Sequence, residues 1–140
     1  MRVFKASGIL YKAGHKIGLS AHGIDTDSLD DIVAASPKKI PVLKGYSLNP
    51  DPENIIGYAT LRRVNDGIRA DIVFNEYTRR LYETILQTDQ GPKENRLGFM
   101  ISYKGKLNPN ITKGVIRCVT MAADNLGGEI DKFGWEEENG

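Results

Sequence analysis

Cysteine and histidine are scarce in this sequence, and their scarcity removes whole classes of function. The single cysteine, Cys118, excludes an internal disulfide. The two histidines, His15 and His22, have no cysteine, histidine or carboxylate at metal-ligand spacing, so neither a zinc site nor any cofactor is expected. Charge of one sign is missing too. Lys and Arg number 19 against 18 Asp and Glu, and a net charge of +1 gives no global field for nucleic acid or a membrane surface. No apolar run approaches the ~20 residues of a membrane span. The opening stretch MRVFKASGIL lacks an apolar segment of leader length, so a reducing interior, or a particle assembled there, is the expected setting. The sequon at Asn110 and Thr112 is accordingly read as chance. Gly127 and Gly128 are followed by Glu129 instead of a Lys-Ser or Lys-Thr pair, which removes a phosphate loop. The basic pairs Lys38–Lys39, Arg62–Arg63 and Arg79–Arg80 have acids nearby and no interleaved aromatics, and they read as solvated faces.

What is present is enough apolar material for one core: 40% of 140 residues, which predicts a single domain over 1–140. VFKASGILY (3–11) and KIGLSAHG (16–23) mix apolar, small and polar residues around glycine and predict two strands. A helix is expected over 27–35: Thr26 or Asp27 caps it, Asp30 and Asp31 sit in its first turn, Leu29, Ile32 and Val33 share a face, and Pro37 stops it. The same acidic cluster lacks the glycine and distal glutamate of a calcium loop. KIPVL and NIIGYATLRRV predict strands, and VNDG turns the second of these into IRADIVF, because Asn, Asp and Gly tolerate positive φ. Tyr77, Leu81, Tyr82, Ile85 and Leu86 recur at helical spacing and predict a second amphipathic helix over 76–88. RLGFMISYKG and GVIRCVTMAA predict two further strands around a polar loop, and residues 131–140 read as a frayed acidic tail with Trp135 as its anchor. Cys118 falls among Ile116, Val119 and Met121, where a thiol behaves as a small apolar group. The predicted class is α+β, a mostly antiparallel, barrel-like sheet with two packed helices.

The order of these segments resembles the tailed-phage prohead protease family, the capsid-maturation serine proteases that share a fold with the herpesvirus assembly protease. The resemblance is carried by PVLKGYSLNPDPENIIG, the DG hairpin, the amphipathic helix, FMISY and GVIRCVT, over about residues 3–125. It implies that Tyr46 stands where the family has its catalytic histidine and Met100 where it has its serine. A phenol of pKa ~10 is no general base near neutrality, and a thioether has no proton to lose. On that alignment no catalytic pair remains, and Tyr46 and Met100 should meet on one face of the sheet. An active enzyme would need a shifted site, with Ser102 or Ser47 as nucleophile and His22 as base.

A protein of this fold without its chemistry is implied to be a capsid auxiliary. It would decorate or cement the shell of the major capsid protein at the virion surface after assembly in the host cytoplasm, with self-association as a further possibility. An unrelated binding module is the alternative. The expected contact residues lie in polar loops and the tail: Tyr46, Ser47 and Asn49, then Asn108 and Asn110, and Trp135. Near-neutral charge implies docking by shape and apolar contact, weakened only modestly by salt.

Overall fold

The computed structural model describes residues 2–17, 22–44, 52, 54–75, 96–104, 110–122 and 127–137. Strand β1 (Arg2–Lys12) is followed by a 3-10 turn at Thr26–Ser28, helix α1 (Leu29–Ala35), and strands β2 (Ile40–Lys44), β3 (Ile55–Val64), β4 (Gly67–Phe74), β5 (Arg96–Tyr103), β6 (Gly114–Ala122) and β7 (Gly128–Glu137). The strands close into a barrel in the order β1-β4-β3-β2-β6-β5-β7. All pairings are antiparallel except that of β2 with β6.

This corrects the expected α+β class. The described chain is mostly β, and its helical content is one short helix with its leading 3-10 turn. A sheet closed on itself buries its inner face without a helical layer, so the apolar sides of the strands need no second layer. Phe4, Ala6 and Leu10 of β1, Ala59 of β3, Ile68, Ala70 and Ile72 of β4, and Val119 and Met121 of β6 are buried in one cluster, and α1 closes on it with Leu29 and Ile32. The helix expected over 76–88 lies outside the described residues.

Three further expectations change. Of the strand predicted over 16–23, the described part is a single bridge between Lys16 and Gly23. The supposed frayed tail is strand β7 as far as Glu137, paired with β1 from Arg2↔Glu137 to Ile9↔Glu129. Its charges obscured the pattern, since Ile130, Phe133 and Trp135 face apolar neighbours while Lys132 and Glu136 pair outside. Phe4 meets Phe133 edge-on at 4.5 Å and Trp135 at 5.3 Å, which fastens this strand to the core. The hairpin between β3 and β4 falls where expected, but Asn65 and Asp66 keep negative φ, and it is Gly67 that takes positive φ, +149°. A side chain at Gly67 would also strike the Tyr11 carbonyl.

Helix α1 forms without a side-chain cap. Thr26 and Asp27 lie in the 3-10 turn, and Ser28 Oγ instead donates to Asp25 Oδ2 at 3.1 Å. Its other end is tied firmly. Ser36 Oγ donates to Ile32 O at 2.7 Å and accepts from the Ile116 amide at 3.0 Å, so one hydroxyl joins the end of α1 to β6. From the other flank Arg63 Nε sits 3.1 Å from Asp30 Oδ1, linking α1 to the β3–β4 hairpin.

Among the described residues the barrel carries four register shifts, and two of them put a charged residue in the extra position. Between β1 and β7, Ser7 pairs Lys132 and Gly8 pairs Ile130, leaving Asp131 unpaired in the ladder. Between β5 and β6, Met100 pairs Cys118 and Ile101 pairs Ile116, leaving Arg117 as the extra residue. A bulge of this kind re-aims the side chain it inserts.

Candidate functional site

The second of these bulges builds the most distinctive surface of the barrel. Ile116 and Cys118 are buried on either side of Arg117, whose side chain is exposed. Phe99 and Ile101 pack on the core, so strand alternation puts Ser102 on the outer side of β5. There Arg117 Nε donates to Ser102 Oγ at 3.1 Å. Around this pair runs a groove of about 520 Å3 between α1 and the β5–β6 ends. Ile32, Ala35 and Val115 supply apolar wall, Tyr103 stands 47% exposed, and Lys104, Lys113 and Arg117 bring positive charge against one acid, Asp31. The Ser36 bridge to Ile116 sets the width of this groove, because it fixes α1 against β6.

A second depression, of about 600 Å3, lies over the outer face of β1, β3 and β4. Its cations are already neutralised. Arg62 Nε lies 2.6 Å from Asp71, Arg69 makes two bonds of 2.7 Å to Asp131, and Lys5 and Lys132 share Glu136 at 3.7 and 2.9 Å. The Arg69 guanidinium beside Asp131 holds that carboxyl below its ordinary value, and Lys132 does the same for Glu136. Satisfied pairs of this kind leave little for a ligand to gain, whereas the three cations of the groove beside α1 have no described carboxylate within ion-pair distance.

The expected site residues divide accordingly. Tyr46, Ser47, Asn49 and Asn108 lie outside the described residues, and with Tyr46 goes the expected Tyr46–Met100 contact. Met100 is half-buried on β5, opposite Cys118, whose thiol is pushed up in pKa by burial. Ser102 bonds Arg117, and no described contact joins it to His22, whose carbonyl accepts from the Ile17 amide at 2.8 Å. The Asn110 amide is engaged internally: its Oδ1 accepts from the Gly23 amide at 3.3 Å beside the Ile24–Ile111 bridge. Trp135 packs on Phe4 within the barrel end. Among the described residues no group of three His, Cys, Asp or Glu is arranged to hold a metal ion. Arg117, Lys104 and Lys113 escaped the sequence reading because they are separated along the chain and meet only through the hairpin register Tyr103↔Gly114 and Ser102↔Val115.

The described residues form a closed seven-stranded barrel with a short helix against β6. Among solved structures the chain is similar to KSHV protease, crystallised in complex with a hexapeptide phosphonate inhibitor, at a TM-score of 0.57 and 15% identity, over 85% of this chain and 59% of that one. At that identity the likeness is one of fold, and this chain spans 59% of its neighbour's length. No sequence-family profile and no curated protein matches the chain.

Proposed function

We propose that this chain is a catalytically silent protein of protease-like fold that serves as a phage capsid auxiliary, bound to the shell of the major capsid protein. Its fold likeness to a viral protease supports the setting. The observation that carries the silent reading is the partner of Ser102. A serine becomes a nucleophile when a neighbouring base accepts its proton, and a guanidinium has no acceptor to offer. With Arg117 Nε donating to Ser102 Oγ, one lone pair of the hydroxyl oxygen is engaged by a cation, and among the described residues no contact joins the hydroxyl to a base. Met100, at the position that the prohead protease resemblance gives to the nucleophile, has no proton to lose.

Two measurements test this reading. Quantitative mass spectrometry of purified mature particles, with surface proteolysis before disruption, is expected to find the chain intact, on the outside, and at a constant ratio to the capsid subunit. A serine-directed phosphonate probe is expected to leave the protein unlabelled. The competing reading, an active maturation protease, draws support from the inhibitor complex of the structural neighbour. It predicts stoichiometric labelling of Ser102 or Ser47 and loss of the chain from mature particles, or its presence there only as self-cleaved fragments. Either result would remove the auxiliary assignment.

A further inference from the structure

The two charged bulges make a natural comparison. Asp131 and Arg117 are each the extra residue at a register shift, and each is exposed on the outer face of the barrel. Asp131 meets a guanidinium at 2.7 Å through two bonds. Among the described residues Arg117 meets only a neutral hydroxyl. Among the arginines whose side chains are described, Arg62, Arg63, Arg69 and Arg96 each have a carboxylate within ion-pair distance, and Arg117 has none. Lys104 and Lys113, in the same groove, have no described acid partner either.

We infer that the groove between α1 and the β5–β6 ends is a docking site for an acidic peptide segment of a protein partner, with Arg117 as the carboxylate receiver. The Ser102 bond occupies Nε and orients the planar guanidinium, which leaves the four N–H groups of its two terminal nitrogens for a carboxylate. Lys104 and Lys113 add positive charge on the hairpin side, and with Asp31 opposed to three cations the local balance is 3 − 1 = +2. The wall of Ile32, Ala35 and Val115, with Tyr103 exposed among the lining residues, suits aliphatic side chains between the carboxylates. Nucleic acid is the poorer occupant. The chain's net charge is +1, and the groove is walled by aliphatic groups where a nucleic-acid track would extend its cations along a backbone. This deepens the capsid reading and rests on it for the source of the segment, a carboxylate-bearing stretch of the shell subunit. It also revises the salt expectation: docking through this groove should weaken several-fold as salt rises to ~0.3 M, because exposed ion pairs are screened.

Fluorescence polarisation with the intact protein tests the proposal. The probes are a labelled hexapeptide of alternating glutamate and leucine, its lysine–leucine counterpart, and a labelled thymidine oligonucleotide. The acidic peptide should bind and the lysine peptide should not. Arg117→Ala should weaken binding by about tenfold or more, the loss of a charged hydrogen-bonded pair, and Arg117→Lys should restore only part, lacking the fork. Ser102→Ala should cost a few-fold through lost orientation, with thermal unfolding confirming that each variant is folded. Equal binding of the acidic and lysine peptides, indifference to Arg117→Ala in a folded variant, or preference for the oligonucleotide would overturn the proposal. The two readings fail separately. Peptide binding without the chain on mature particles leaves the groove and removes the capsid role. Particle occupancy that survives Arg117→Ala, with no peptide binding, does the reverse.

Discussion

Asp131 and its partner Arg69 offer the sharpest test at the scale of single residues. The carboxyl's pKa is lowered mainly by the hydrogen bond from Arg69, so its folded value lies below its unfolded one. The stabilisation is therefore present above the ordinary carboxylate range and is lost as pH falls through the depressed value. Because the Asp131 side chain is 52% exposed, the pair contributes no more than about 1 kcal/mol. We expect Asp131→Asn to lower the unfolding midpoint by a few degrees at neutral pH. The gap to the parent protein should close as pH falls from about 4 to about 2. Midpoints measured by circular dichroism across that range decide it, and a gap independent of pH would mean that the carboxylate charge is not what matters. Residues of this kind were not legible in the sequence. Arg69 and Asp131 are 62 positions apart, and only the bulge beside Ser7 and Gly8 turns the carboxylate toward the guanidinium.

At the scale of elements, most strands were legible because period-two apolar patterning and turn residues are local signals, and β3 with β4 is the clearest case. The second strand was over-read from KIGLSAHG, where small residues and glycine imitate a strand but the described residues form one bridge. β7 was under-read because its solvent-facing charges outnumber its apolar contacts, and its place is set by β1, far away in sequence. Among the described pairings, the closing seam between β5 and β7 is the narrowest, Arg96↔Glu129 and Leu97↔Gly128. A methyl group at Gly128 would lie 2.5 Å from the Leu97 carbonyl oxygen and 2.6 Å from that of Ile9, both of them backbone atoms. Gly128→Ala should therefore part the seam, and a loss of ~2 kcal/mol or more is expected in chemical denaturation. An unchanged midpoint would mean that the strands can shift at no cost.

For the whole molecule, Cys118 is a ready reporter. It is 2% exposed, and burial raises its thiol pKa, so both access and ionisation oppose reaction. Alkylation of the native protein at neutral pH should run at least ~10-fold slower than in denaturant, and its rate should follow the unfolding equilibrium as denaturant is added. Rapid labelling of the native protein would instead place the thiol in a locally opening region. Of the two positions that the family resemblance singles out, Tyr46 lies outside the described residues and Met100 stands opposite Cys118 on β5, and the fold likeness at 15% identity extends to architecture alone.

The pairing of β1 with β7 also bears on how the chain is made. Residues 2–9 find their partners at 129–137, so β1 leaves the ribosome long before the strand that covers its second edge exists. During that interval β1 can be protected on one side only, by β4, while its other edge offers unpaired amides and carbonyls to any neighbouring nascent chain. Synthesis that halts before β7 would release a curled sheet with an open border, a species primed to join others like it. The barrel's completion is thus a late event that the last strand performs for the first.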